Sequence, residues 1–293
     1  MKRRIAFLDV FSERPLAGNG LAVVDEADGV ADDVMLAFAL ETRLSETTYV
    51  QTASAEGADY RNRIWTPGEE VPFAGHPSLG TAVAVARWRG EREASFVQET
   101  GAGLQPLEVR REENGGGERW DASMQQAEAA FGAEIDAAEA MASVGLERGD
   151  AHPDRPPQFV STGVANAIVP LASDGALARV EPDYEAIDAL LSPHDALVLY
   201  LAWCGTVSDG RAEVRARGFG RVAAMGEDPA TGSAVGPLCA YLDRRAGCRA
   251  IEVSQGAELG RPSALHAEID AEGRARVSGS VVPLIDGSVE LPA

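Results

Sequence analysis

Pro72-Phe73-Ala74-Gly75-His76-Pro77-Ser78-Leu79-Gly80 leads into an apolar, alanine-rich run that reads as a buried helix over residues 77–88. Gly226-Glu227-Asp228-Pro229-Ala230-Thr231-Gly232-Ser233-Ala234-Val235-Gly236 repeats the arrangement, and Gly232 stands 157 residues after Gly75. In each case a strand ends (near Trp65, near Phe219), a loop follows, and glycine marks the entry to an apolar helix, the second running to about residue 245. The offset is about half of the 293 residues. Strand-like segments outnumber helices, with one long helix after each glycine loop. The chain therefore reads as α+β, two related halves, each a mixed sheet around one central helix.

Working outward, residues 4–11 read as a strand, 16–20 as a turn and 21–24 as a second strand. A helix is expected over 32–43. A strand follows at 44–50, where β-branched and aromatic residues take over. Residues 60–65 form another strand and 66–72 a loop. In the second half, one strand is expected over 158–171, an amphipathic helix at 183–191, and strands at 195–203 and 212–219. The tail alternates strands and turns at 251–253, 264–269 and 275–282. Glu112-Glu-Asn-Gly-Gly-Gly-Glu118 is the best linker, because glycines and charges cannot pack a core. The expected domains are 1–116 and 117–281, with the tail from about 282 to 293 able to return to the first.

The composition excludes several classes. Lys+Arg is 26 and Asp+Glu 46, a net charge of −20 that repels nucleic acid and anionic membranes. Only Lys2 among the basic residues is lysine. No apolar run approaches the roughly 18–20 residues of a membrane span. Met1-Lys2-Arg3-Arg4 is basic, yet Asp9 interrupts the apolar stretch too soon for a signal peptide. The cytoplasm is the expected compartment. Cys204, Cys239 and Cys248 show no paired spacing, and His76, His152, His194 and His266 are scattered. Neither a disulfide framework nor a metal site is expected.

The two glycine loops hold the densest chemistry. A helix N-terminus leaves about four N–H groups unpaired and carries partial positive charge, which suits a carboxylate or phosphate. Glycine lets a ligand approach that backbone. Neither loop has the spacing of a nucleotide-binding P-loop. The alternative is plain helix capping: Asp228, Thr231 and Ser233 are good capping types and Pro77 suits a first turn. Glu46 is either a solvent-facing strand residue or, if the alternation turns it inward, a desolvated carboxylate poised as a general acid/base. Asp228 is a second carboxylate candidate.

The set Leu44-Ser-Glu-Thr-Thr-Tyr-Val50, Arg63-Ile-Trp-Thr-Pro67, Pro72-Phe-Ala-Gly-His-Pro77 and Gly226-Glu-Asp-Pro-Ala-Thr-Gly-Ser233 closely resembles the phenazine-biosynthesis PhzF-like isomerase family. Gly20 replaces the proline usual after Gly-Asn, and residues 160–171 look like the opening strand of that family's second domain. The resemblance implies a diaminopimelate-epimerase-like fold: two similar domains, each a sheet or barrel around a central helix, with an active site in the cleft between them. It implies a cofactor-independent isomerase of a small carboxylate-bearing metabolite, working as a homodimer. By the same resemblance Glu46 is the proton shuttle and His76, Asp228 and Ser233 are supporting catalytic groups. Gly75, Pro77, Thr231 and Gly232 then contribute to substrate binding. The epimerases of this fold use two facing cysteines, and neither loop here contains one, so a two-thiol mechanism is excluded by residue type. A cysteine-free epimerase, or a binding protein that kept the fold without turnover, are the competing readings.

Overall fold

The computed structural model describes residues 1–112, 117–221 and 226–292, so 113–116 of the expected linker lie outside the described residues. The chain forms two units, the first of Met1–Gln125 with Ser278–Ala293, the second of Gln126–Val277.

The first unit contains β1 (Lys2–Val10), β2 (Asn19–Val24), α1 (Asp32–Thr42), β3 (Glu46–Gln51), β4 (Tyr60–Trp65), β5 (Glu70–Val71), α2 (Gly75–Arg89), β6 (Glu93–Thr100), β7 (Gly103–Arg111) and β8 (Trp120–Gln125). The second contains β9 (Ala130–Glu134), α3 (Ala137–Ala142), β10 (Gln158–Ser161), β11 (Ala165–Pro170), α4 (Asp174–Leu177), α5 (Tyr184–Leu191), β12 (Ala196–Cys204), β13 (Arg211–Gly220), β14 (Glu227–Asp228), α6 (Gly232–Ala246), β15 (Ala250–Gln255) and β16 (Ser263–Ile269). The last strand, β17 (Ala275–Glu290), starts in the second unit and belongs to the first from residue 278.

In the first unit the strands close on themselves. β1 pairs with β2, β2 runs parallel to β3, β3 pairs with β4, and β4 runs parallel to β6. β6, β7 and β8 follow as an antiparallel meander, and β17 closes the ring between β8 and β1. A closed ring leaves no free strand edge. It encloses α2, which packs against β1, β2, β3, β4, β6, β7 and β8. Residues 75–86 of α2 are all buried. Such a helix needs small residues on every side, which is why it reads Gly, Ala, Val, Ser and Thr with no polar stripe. At Gly80 any Cβ would press into the buried Leu21 and Val10 side chains.

The second unit repeats the pattern: β10–β11 antiparallel, β11–β12 parallel, β12–β13 antiparallel, β13–β15 parallel, β15–β16 antiparallel. In both units a two-residue strand folds back on its predecessor just before the central helix: β5 on β4, β14 on β13. α2 and α6 have 15 residues each and start at the two glycines of the sequence repeat. Outside the first sheet, α1 covers a core of Ile5, Val24, Met35, Tyr49 and Trp65. Outside the second, α3, α4 and α5 cover Val169, Leu199, Leu201 and Phe219.

Several expectations need correction. The strand expected over 158–171 is two antiparallel strands, β10 and β11, because Thr162-Gly163-Val164 turns the chain. The helix expected from residue 77 begins at Gly75, since Pro77 sits comfortably inside a first turn where its missing N–H has no bond to lose. The loop at 66–72 contains β5, and the terminal strand runs on to Glu290.

Candidate active site

In β3 the side chains alternate. Thr47 and Tyr49 face α1, where the Thr47 and Thr42 hydroxyls meet at 2.9 Å and the Tyr49 hydroxyl donates to the Met35 carbonyl at 2.7 Å. Thr48 faces the central helix, with its hydroxyl 2.8 Å from that of Thr81. Glu46, two residues earlier, shares the Thr48 face. Its Oε2 lies 3.4 Å from Nε2 of His76, the second residue of α2. Of the two readings of Glu46, the structure supports the inward one.

His76 is only 4% exposed, and the Glu46 side chain 13%. The Asn19 amide nitrogen lies 3.2 Å from His76 Nδ1, and the Ser45 hydroxyl donates to Asn19 Oδ1 at 3.4 Å. The contacts thus run from Glu46 to His76 to Asn19 and back to the residue beside Glu46. Burial pushes the His76 pKa down to about 3, and a hydrogen bond to the Gly20 backbone opposes the shift without cancelling it. His76 is therefore neutral at physiological pH, and its contact with Glu46 is not an ion pair.

This burial has a measurable consequence. A histidine whose folded pKa lies below its ordinary 6.5 binds its proton more readily when unfolded. Its contribution is present above pH 6.5 and is lost as pH falls from there toward about 3. Between pH 7 and pH 5 the loss should be about 2 kcal/mol. Chemical denaturation at the two pH values measures it. His76→Gln, which has nothing to titrate there, should show a correspondingly flatter dependence. Equal slopes in the two proteins would contradict a neutral, buried His76.

The second unit builds a different cluster. β14 pairs Asp228 with Gly218. The Thr231 hydroxyl donates to Asp228 Oδ2 at 2.8 Å. Gln255, at the end of β15, uses its whole amide. Its Oε1 accepts from the Tyr200 hydroxyl (2.9 Å) and the Thr231 N–H (3.2 Å). Its Nε2 donates to the Asp228 carbonyl (2.7 Å) and Thr231 Oγ1 (2.9 Å). Such a satisfied network holds one geometry. Burial raises the Tyr200 pKa well above its ordinary range, and the Asp228 charge adds to the shift, so Tyr200 stays a neutral donor. Arg217 clamps the neighbouring Glu227 through two bonds of 2.8 and 2.7 Å and donates to the Leu177 carbonyl.

Gly75, His76 and Pro77 are thus the first three residues of α2, and Gly232 and Ser233 the first two of α6. Neither helix has a side-chain cap. Thr231 occupies the capping position of α6, yet its hydroxyl turns to Asp228 instead. Capping alone does not explain these residue types. Sequence reading missed Asn19, taken only as part of a turn, and Gln255 and Tyr200, which carried no signal beyond a strand pattern. Among the described residues, no three His, Cys, Asp or Glu side chains gather as metal ligands. Cys239 and Cys248 are buried and Cys204 half-buried, all three outside both loops, and burial raises all three thiols.

A family model described as phenazine biosynthesis-like protein (PhzC-PhzF) matches residues 8–287. The chain belongs to that family. A trans-2,3-dihydro-3-hydroxyanthranilate isomerase of Pseudomonas aeruginosa is 34% identical over 295 residues, covering 98% of this chain and 99% of the relative. The crystal structure of a PhzF-family phenazine biosynthesis protein from Bacillus anthracis superposes with a TM-score of 0.81 at 28% identity, covering 99% of each chain. A hydroxyproline epimerase from Agrobacterium vitis, at 13% identity and TM-score 0.63, covers 98% of this chain and 92% of its own, and shares the fold. This PhzF-type chain is an isomerase.

Proposed function

We propose that Glu46 is the proton shuttle of this isomerase and that its substrate is a small carboxylate-bearing metabolite of the trans-2,3-dihydro-3-hydroxyanthranilate kind. The observation that carries this reading is the inward-facing Glu46 carboxylate against a buried, neutral His76. The name of the Pseudomonas aeruginosa relative supports the substrate class.

Glu46 as carboxylate takes a proton from an acidified C–H. The bonding pair shifts the conjugated double bond, and the protonated Glu46 returns the proton to another carbon on the same face. No oxidant or reductant is needed, because the product has the composition of the substrate. His76 lies beside the Glu46 carboxylate and stays neutral through the cycle, so a single group does both proton transfers. The backbone N–H groups at the start of α2 (Gly75, His76), and separately those at the start of α6 (Gly232, Ser233), are of a kind that suits a carboxylate. Pro77 stiffens the first of these turns, and Asp228, Thr231 and Ser233 orient the substrate. By family resemblance the enzyme works as a homodimer, and its proposed compartment is the cytoplasm.

The test is to offer the protein trans-2,3-dihydro-3-hydroxyanthranilate in D2O and read the product by NMR. A shifted double bond, with any deuterium at a carbon other than the one deprotonated, is expected. Inversion at the original carbon, with label confined there, would instead show an epimerase. Tight binding with no proton exchange would show a binding protein.

A further inference from the structure

Pro237 lies inside α6, four residues after Ser233. It has no N–H, so the helix cannot bond the Ser233 carbonyl in the usual way. A side chain from β11 fills the gap. Asn166 Nδ2 lies 3.0 Å from the Ser233 carbonyl oxygen and 3.2 Å from that of Val164. Asn166 is fully buried, and its Oδ1 has no hydrogen-bond partner. A buried acceptor left open is costly, so the residue type calls for a reason. Rotating the amide would face its oxygen against two carbonyl oxygens, so the amide's donor half is what this position uses.

One residue earlier the same device recurs. Gln126 Nε2 donates to the Gly232 carbonyl at 3.1 Å, while its Oε1 accepts from the Thr162 hydroxyl at 2.6 Å. Any Cβ at Gly236 would overlap Gln126 Oε1, so the glycine makes room for the amide. Two side-chain amides therefore hold the carbonyls of the first two residues of α6, the residues whose N–H groups face the helix opening.

We propose that Asn166, aided by Gln126, is a positioning residue. It supplies the hydrogen bond that Pro237 withholds and so sets the turn that presents Gly232 and Ser233 to substrate. The inference rests on the reading of those two residues as substrate-binding groups.

The decisive experiment is a double-mutant cycle. Asn166→Ala should lower kcat/KM for trans-2,3-dihydro-3-hydroxyanthranilate by about 10- to 100-fold, the usual cost of slight misplacement of binding groups. Pro237→Ala alone should stay near wild type. On the Asn166→Ala background, Pro237→Ala restores a backbone N–H to the Ser233 carbonyl and should recover most of the loss. An unaffected Asn166→Ala, or a loss that Pro237→Ala does not recover, would overturn the proposal and leave Asn166 as ordinary packing. If Asn166→Ala alone does not fold, the double variant should, and its failure to fold would equally overturn it. If the wild type does not turn over that compound, the functional reading fails separately. The four proteins are then compared by thermal unfolding, where non-additive Tm shifts support the hydrogen-bond exchange and additive shifts refute it.

Discussion

Glu46→Gln is expected to reduce turnover by roughly 10²–10⁴-fold without loss of the fold. Glutamine keeps the length of the side chain and the pairing of Glu46 with Leu21 at the start of β3. Its amide can take the place of the carboxylate beside His76 Nε2, which lies 3.4 Å away. What it lacks is a basic oxygen, and the loss strikes twice because one carboxylate serves first as base and then as acid. The neighbouring His76 cannot replace it. His76 is held neutral by burial, with a pKa of about 3, so it has no acidic proton to give at working pH. Kinetics with trans-2,3-dihydro-3-hydroxyanthranilate, together with a thermal melt of the variant, checks this. A folded variant turning over at the wild-type rate would remove Glu46 from the mechanism.

The features legible in the sequence were local. Glycine entry into a helix packed on every side needs only neighbouring residues, so α2 and α6 and their spacing of 157 residues could be read directly. The β-branched run of β3 placed Glu46 on a strand, but the face it takes depends on Thr48 meeting Thr81, 33 residues away. The Asn19–His76 and Tyr200–Gln255 contacts join residues 57 and 55 positions apart, with no periodicity to announce them. Gln255 is an ordinary polar residue at a strand end until its four hydrogen bonds, to Tyr200, Asp228 and Thr231, are known. Residues 158–171 misled for a related reason. Two short strands, each rich in apolar residues and both buried, read as one, and only Thr162-Gly163 between them marks the turn. Thr231 shows the reverse error, a capping type whose hydroxyl a carboxylate three residues earlier claims first.

The turn after β15, packed against the Asp228 loop, yields the largest expected loss of stability. Gly256→Ala should destabilise the protein by about 4 kcal/mol or more, a size that marks a specific steric fault. Gly256 has φ +78, a conformation costing an alanine roughly 1 kcal/mol by itself. The larger cost is space. A Cβ there would overlap the Arg261 carbonyl oxygen and stand 2.5 Å from that of Pro229. Both are backbone atoms, and Gly256 is itself tied down, its carbonyl accepting from the Leu259 and Arg261 N–H groups. Something must give, and the adjoining groups are Gln255 on one side and Asp228, through Pro229, on the other. Activity should therefore fall along with stability, because the amide that fixes Thr231 and Asp228 is displaced. Gly260→Ala is the control. Gly260 has a similar φ of +68, but no atom lies within 4 Å of the added Cβ, so only the conformational cost of about 1 kcal/mol applies. Denaturant titration of the two variants beside the wild type separates the contributions. If both alanines cost the same, backbone conformation alone accounts for Gly256, and the close approach of the Pro229 and Arg261 carbonyls is not what demands glycine at the foot of the Asp228 loop.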